Sequence, residues 1–202
     1  LLGSQKIAEI FAYLDEPQIY FSELSVKDAA KVVSLMDSDD AVDVLETLDD
    51  KKKYEIVENL DKAAIKDVKM LLSYDDDEIG SCMTTNYICI PKGLSVRQAM
   101  SELVRQAGTN DNISTIYVLD ESLKFAGAID LKDLIIAREH DVLDDIIVHS
   151  YPSVTDHEKI DECMEKIMDY SEDSIPVLSQ DGHMLGVITS EDIVEMVNNE
   201  MG

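Results

Sequence analysis

Tryptophan is absent from this chain of 202 residues, and aromatic residues make up only 5% of it. Cysteine is scarce too, and Cys82, Cys89 and Cys163 lack C-x-x-C spacing, so neither a disulfide framework nor a zinc site is indicated. No apolar run approaches the roughly 18 residues that a membrane-spanning helix needs, and no secretion signal is present. We therefore expect a soluble piece, excised from a larger protein, in a reducing compartment.

Basic residues are also in short supply, because 17 Lys and Arg stand against 43 Asp and Glu and give a net charge of −26. Nucleic acid and anionic membrane surfaces are polyanions that such a chain repels, so the expected partners are cations or basic surfaces. Self-repulsion of this size destabilises a compact state, and bound divalent cations relieve it. Most individual carboxylates are nevertheless expected to serve solubility alone.

The sequence also lacks the residue patterns of the common catalytic centres. The four histidines, at 140, 149, 157 and 183, are scattered and show no H-E-x-x-H spacing. Neither a phosphate-binding Walker loop nor a nucleophile next to a base occurs. We predict that the chain is not an enzyme.

The first third of the chain repeats every twelve residues. Two apolar series and one series of Ser and Asp share this period: Val32, Val44, Ile56 and Val68; Met36, Leu48, Leu60 and Leu72; and Ser25, Asp37, Asp49, Asp61 and Ser73. Ser and Asp are good N-caps, because a side-chain oxygen accepts an orphan backbone N–H at a helix start. The repeat predicts an array of short helices over 1–73, each just after a polar repeat residue and stabilised by stacking.

After residue 73 the period is lost, and a unit of strands and helices occurs twice. Three pairs of stretches match in order: YICI at 87–90 with YPSV at 151–154, IYVL at 116–119 with IPVL at 175–178, and FAGAIDLKDLI at 125–135 with MLGVITSEDIV at 184–194. Each copy is typical of strand, helix, strand, tight turn, strand and helix. The acidic segment 74–79 is expected to be a linker between the array and the first copy, with its acidic residues at 75–78 solvated.

The duplicated unit resembles a tandem pair of CBS domains. The resemblance rests on Met83-Thr84, on IPV at 175–177, and on two endings of the form Gly-x-x-[Ser/Thr/Asp]-x-x-Asp, from Gly127 to Asp133 and from Gly186 to Asp192. It implies an α + α/β protein, in which an N-terminal superhelical array of short helices precedes a tandem pair of CBS domains. The implied boundaries are 1–73, 74–79, 80–140 and 141–202.

The helical array, followed by Y-x5-G-x2-MT-x2-Y from Tyr74 to Tyr87, is similar to the cytosolic region of MgtE-type magnesium transporters over essentially the whole chain. One departure is Cys82, where the family usually has Leu. The resemblance implies a Mg²⁺-sensing regulatory region at the cytoplasmic face of the cell membrane. It also implies a homodimer through the CBS domains, which gates a transmembrane domain that this sequence does not contain.

Mg²⁺ prefers hard carboxylate ligands, which the chain supplies in excess. The acidic stretch 37–50 is not an EF-hand, because Val42 stands where that loop requires Gly. The resemblance implies metal-linked positions at Glu9, Asp39, Asp43, Asp161, Asp192, Glu195 and Glu200. Asp39 and Asp43 lie four apart and share one helix face. Because a twelve-residue repeat can slip by one unit, Asp28 is the competing choice in the array.

The Asp at the end of each CBS copy has two readings. In many CBS families it holds the ribose hydroxyls of an adenine nucleotide, and the resemblance implies ATP at Asp133, Lys132 and Thr115. The other reading is structural: Asp130 and Thr189 cap their helices, and Asp133 and Asp192 lie in the first turns. Positions 115 and 172 lack the aromatic residue on which the family would stack the base.

Two alternatives to a Mg²⁺ sensor remain open. An adenine-nucleotide-sensing CBS module of another transporter or enzyme would bind ATP or AMP without a Mg²⁺-driven domain movement. A structural adaptor, with the helical array as a docking surface, would respond to neither ligand.

Overall fold

A computed structural model describes residues 6, 8, 10–11, 14, 16–110, 112–168, 172–190 and 192–194, with the backbone alone at 165–166. The chain divides into two compact units, Leu1–Asp76 and Asp77–Gly202. Within the described ranges, no helix is long and apolar enough to cross a membrane.

The first unit is an array of short helices, as the repeat predicts. Their bounds are Pro17–Glu23 (α1), Val26–Val33 (α2), Ser38–Glu46 (α3), Asp50–Val57 (α4) and Ala64–Leu71 (α5). The repeat residues Val44, Ile56 and Val68 are all buried. Two pairs of helices that are two apart along the chain pack on each other, α2 on α4 and α3 on α5. Stacking of this kind buries apolar stripes that a two-turn helix cannot bury alone.

The polar repeat residues act as caps at three of their positions. Ser25 accepts the Asp28 N–H at 3.2 Å, and Asp49 accepts the Lys52 N–H at 3.1 Å. Asp61 accepts the N–H groups of residues 63 and 64, at 3.0 and 2.9 Å. The prediction is wrong at Ser73, whose hydroxyl donates back to the Met70 carbonyl at 2.6 Å while the chain turns instead of starting a helix. The apolar repeat has ended there, since Gly80 occupies the next position of its series.

The second unit contains the duplicated fold that the sequence predicts. The first copy consists of β1 (Ile88–Pro91), α6 (Val96–Gln106), β2 (Thr115–Leu119), β3 (Phe125–Asp130) and α7 (Leu131–Ile136). The second consists of β4 (Val154–Thr155), α8 (Ile160–Met168), β5 (Ser174–Leu178) and β6 (Met184–Thr189), with helical residues again at 190 and 192–194. Short 3₁₀ turns lie at Ile79–Ser81 and Leu143–Ile146. In each three-stranded sheet the first two strands are parallel and the last two antiparallel.

The two faces of the first sheet are buried by different partners. Ile116 and Val118 point to the face that packs with residues of α6 and α7. Tyr117, one residue away on β2, points to the opposite face and is buried with Ala128 and with Val187 of the second copy. The Tyr117 face is therefore the interface between the two CBS copies.

Each sheet is completed by a segment that belongs outside its own copy. Thr84, which precedes β1, exchanges two backbone hydrogen bonds of 2.9 Å with Val187 in the second sheet. Val148, from the connection between the copies, exchanges bonds of 2.8 and 3.2 Å with Ala128 in the first sheet. The crossings explain the glycine of each CBS ending, because a Cβ on Gly186 or Gly127 would lie 2.7 Å from a backbone oxygen of the crossing segment. The two copies thus form one interlocked unit.

The turns before β3 and β6 differ at one matching position. Leu123 has a φ of 61°, and Gly182 of the second copy has a φ of 84°. A left-handed backbone costs a side-chain-bearing residue about 1–2 kcal/mol, and glycine adopts it freely at a smaller entropic cost.

We expect Leu123→Gly to raise the free energy of unfolding by about 0.5 kcal/mol, as the balance of these two terms, because Leu123 is 65% exposed and loses little burial. Urea titration of the two proteins measures the difference. The reciprocal control, Gly182→Leu, should lose about 1 kcal/mol. A less stable Leu123→Gly protein would contradict the strain at this turn.

Candidate functional site

Tyrosines line the interface between the two CBS copies. The Tyr117 hydroxyl lies 2.6 Å from Ser174 Oγ, and the Tyr151 hydroxyl donates to the Ser174 carbonyl at 2.9 Å. The Tyr117 ring also meets those of Tyr87 and Tyr151 edge-on, with centroids 6.1 and 6.2 Å away. Burial raises the pKa of Tyr117 far above its ordinary value, so the hydroxyl stays neutral.

The three residues predicted for ATP lie at one end of the first sheet. Thr115 is buried and pairs across the sheet with Asp130. Asp130 caps α7 by accepting the Lys132 N–H at 2.6 Å, as the structural reading predicts. Lys132 is exposed and Asp133 is half-buried in the first turn. Thr115, Lys132 and Asp133 are thus neighbours, although the Asp130 carboxylate is engaged in capping.

Tyr151 is a residue of this end of the sheet that the sequence reasoning missed. The pKa of Tyr151 is raised to about 12, chiefly by burial. A hydrogen bond with Thr115 lowers the pKa in part, whereas the nearby carboxylates raise it; they belong to Glu172, Asp173 and Asp130. The signal was present in the sequence, because Tyr151 matches Tyr87 in the repeat. Its surroundings are acidic, which opposes the approach of a polyanion.

Thr189 and Asp192 form a cap at the matching position of the second copy. The backbone N–H and the hydroxyl of Thr189 donate to one carboxylate oxygen of Asp192, at 2.6 and 2.8 Å. The Asp192 N–H donates to the Thr189 hydroxyl at 3.4 Å. This reciprocal arrangement is a capping box, in which one side chain serves each end of the first turn.

The predicted metal-linked residues of the described chain lie on three helical segments. Asp39 is half-buried and Asp43 exposed, one turn apart on α3. Asp161 is exposed in the first turn of α8, and Asp192 lies in the capping box. The competing residue Asp28 accepts the Ser25 hydroxyl at 2.6 Å in the first turn of α2.

Glu9, Glu195 and Glu200 lie outside the described residues. Within the described part of the chain, no group of three or more His, Cys, Asp or Glu side chains is placed to hold a metal ion. The predicted ligands within the described residues are hard oxygen donors that suit Mg²⁺, although they do not form a complete metal site there: Asp39, Asp43, Asp161 and Asp192.

The acidic segment 74–79 is only partly the solvated linker that we expected. Asp75 and Asp76 are exposed. The expectation is wrong for Glu78, whose side chain is 13% exposed. The next residue, Ile79, is fully buried. Glu78 forms a β-bridge with Lys159, and this distant basic partner is the physical reason for the difference.

Comparisons with known families cover nearly the whole chain. A model described as the MgtE intracellular N domain matches residues 1–77, and the CBS domain model matches 78–140 and 143–199. The chain is 30% identical over 185 residues to a magnesium transporter MgtE of Bacillus subtilis strain 168, an alignment that covers 90% of this chain and 40% of that protein. The aligned regions of three such relatives amount to 30% to 40% of their length, so the chain spans less than half of each.

Two solved structures share the fold over both units. The soluble part of a magnesium transporter matches with a TM-score of 0.93 and 30% identity, over 100% of this chain and 80% of that one. The cytosolic domain of the Mg²⁺ channel MgtE in complex with ATP matches with a TM-score of 0.88 and 26% identity, over 96% of this chain and 81% of that one.

Proposed function

The chain belongs to the MgtE family, as an MgtE intracellular N domain followed by two CBS domains, and we propose that it is the Mg²⁺-sensing regulatory region of a magnesium transporter. The observation that carries the proposal is this pair of domain types, matched in order along the chain. The net charge of −26 supports it, because a compact state of such a chain gains from bound divalent cations.

The proposed mechanism is a switch driven by cations. When Mg²⁺ is scarce, the carboxylates of the helical unit and of the CBS unit repel each other and the units separate. When Mg²⁺ is plentiful, ions bridge these carboxylates and hold a compact state that closes the transporter's pore. The proposed ligands are Glu9, Asp39, Asp43, Asp161, Asp192, Glu195 and Glu200. Asp43 and Asp161 suit this role because they are exposed.

The magnitudes favour several ions over one. A single site at tenfold over its Kd contributes about 1.4 kcal/mol, whereas moving a population from 1:99 to 99:1 takes about 5.5 kcal/mol of differential binding. Roughly four such sites supply that difference. A site that binds equally in both states shifts nothing, so the ligands must come together only in the compact state.

The capping box offers a direct test of Asp192. Asp192→Ala and Thr189→Ala each remove the cap and should each lower the free energy of unfolding by about 1 kcal/mol. Only Asp192→Ala removes a carboxylate, so only this variant should need more Mg²⁺ to reach the compact state, as followed by small-angle X-ray scattering. If both variants compact at the wild-type Mg²⁺ concentration, Asp192 is a cap and not a ligand.

A nucleotide site is the second candidate, supported by the likeness to a structure described as an ATP complex. Thr115, Lys132 and Asp133 would hold the nucleotide, with the Lys132 ammonium facing phosphate and the Asp133 carboxylate accepting ribose hydroxyls. Calorimetry with AMP, ATP and Mg²⁺ separates the candidates. If AMP or ATP releases heat of binding in calorimetry, and Mg²⁺ causes no compaction in small-angle X-ray scattering, nucleotide sensing is favoured.

We also place the chain, by the same proposal, at the cytoplasmic face of the cell membrane, where it acts on its own transmembrane domain. A homodimer through the CBS domains is part of this picture. Exposed apolar residues on their helices support it, among them Val104 on α6 and Ile136 on α7, which are 69% and 67% exposed.

A further inference from the structure

Residues 77–80, called the strap below, are held by backbone hydrogen bonds to the start of the second CBS copy. The N–H groups of Ile79 and Gly80 donate to the carbonyls of Glu158 and Asp156, at 2.9 and 2.8 Å. In return the Ile160 N–H donates to the Asp77 carbonyl at 2.9 Å. Ile79 is fully buried. The strap therefore pairs with this copy although about eighty residues separate the two segments. Glu78 and Lys159 form a β-bridge at the centre of this pairing.

The strap also brings acidic side chains onto a basic pair. Lys159 Nζ lies 2.7 Å from a carboxylate oxygen of Asp77 and 3.9 Å from one of Glu78. His157 Nδ1 lies 3.1 Å from the same Glu78 oxygen. The Lys159 ammonium lowers the pKa of Asp77 through this hydrogen bond. Other acidic groups lie close by in sequence, at 156 and 158, so a lysine is valuable at this point.

We propose that Lys159 is a built-in counter-cation that keeps the strap docked at every Mg²⁺ concentration. A covalently attached ammonium neutralises nearby carboxylates without a binding equilibrium, whereas Mg²⁺ does so only above its Kd. The Glu78 carboxylate is only 13% exposed, so an opposite charge beside it offsets part of the cost of its burial. Docking of the strap is then separate from the ion-driven step.

The docked strap limits where a Mg²⁺-driven movement of the helical unit can pivot, an inference that rests on the proposed function. Helix α5 ends at Leu71 and the strap begins at Asp77. Because the strap stays docked, the pivot of a Mg²⁺-driven movement lies within residues 72–76, which form turns outside any helix or strand.

Hydrogen–deuterium exchange of the whole chain tests the strap, with and without millimolar Mg²⁺ at matched ionic strength. In the wild type, exchange at Ile79, Gly80 and Ile160 should be equally slow in both conditions. Lys159→Met should speed exchange at these amides by about two- to fivefold, the range expected when a partly exposed ion pair is lost. Lys159→Arg should restore protection, because it keeps the charge.

Lys92→Met is the matched control, since Lys92 makes an ion pair of 3.2 Å with Asp144 at similar exposure elsewhere in the same unit. It should leave the strap amides unchanged. Mg²⁺-dependent exchange at Ile79 and Gly80 in the wild type, or protection unchanged by Lys159→Met, would overturn the proposal. Scattering on the same samples reports compaction independently, so a failed Mg²⁺ sensor and a failed strap give different results.

Discussion

Replacing Gly127 by alanine is expected to lower the free energy of unfolding by about 3 kcal/mol or more, the sum of backbone strain and overpacking. Its φ of 146° is a conformation that side-chain-bearing residues rarely adopt. A Cβ there would also lie 2.7 Å from the Val148 carbonyl oxygen and 2.7 Å from Ile147 Cγ2. The Val148 backbone cannot move aside without a cost in energy, because it exchanges two hydrogen bonds with the Ala128 backbone.

Three other glycines separate the two causes. Gly186→Ala meets the Thr84 carbonyl oxygen at 2.7 Å without a positive φ, so it should cost about 1–3 kcal/mol from overpacking alone. Gly93 has a φ of 86° and no atom within 4 Å of the added Cβ, so its alanine variant should cost about 1–2 kcal/mol from strain alone. Gly108 has neither feature and should lose nothing. Urea titrations measure the free energy of unfolding of all four variants. Equal losses at Gly127 and Gly93 would contradict the close approach of the crossing segment at Val148 to Gly127.

Replacing Asp39 and Asp43 together by asparagine should remove about 1.4 kcal/mol of Mg²⁺-dependent stabilisation at tenfold over the Kd, the contribution of one site. The two residues share a helix face and supply the hard oxygens that Mg²⁺ prefers. Asparagine keeps the shape of the side chain and removes the charge. The difference between urea titrations with and without Mg²⁺ measures the effect.

Two single variants make this comparison specific. Asp50→Asn removes an exposed carboxylate from the first turn of α4 and should leave the Mg²⁺-dependent increment unchanged. Asp28→Asn tests the competing register of the repeat. If Asp28→Asn removes the increment and the double variant keeps it, the ligand lies one repeat earlier. If none of the variants changes the increment, neither Asp28 nor the Asp39 and Asp43 pair supplies a ligand.

The helices and the duplicated unit were predictable because their signals are local and repeated. Asp49 and Ser25 precede helices whose apolar period identifies them without knowledge of any partner. Thr189 and Asp192 likewise reveal a cap through their spacing. Ser73 misled the prediction because it continues the polar series after the apolar series has ended.

The features that were not predictable depend on contacts between distant segments. No residue near Glu78 in the sequence indicates that Lys159 is its partner, so the sequence predicts a solvated Glu78 side chain. The glycines at 127 and 186 were recognised as part of a family pattern, but their physical reason is the crossing of Val148 and Thr84. Tyr151 escaped notice because its role depends on Ser174 and Thr115, which only the fold brings near it.

The measurement that tests the central claim most directly is small-angle X-ray scattering of this chain with and without millimolar Mg²⁺, with K⁺ at matched ionic strength as the control. Mg²⁺ should reduce the radius of gyration of the particle, and matched K⁺ should not, because bridging requires a divalent ion that contacts carboxylates from both units. Sedimentation of the same samples fixes the oligomeric state, so that compaction is not confused with dissociation. A radius of gyration unchanged by Mg²⁺ would contradict the account of this chain as a Mg²⁺ sensor.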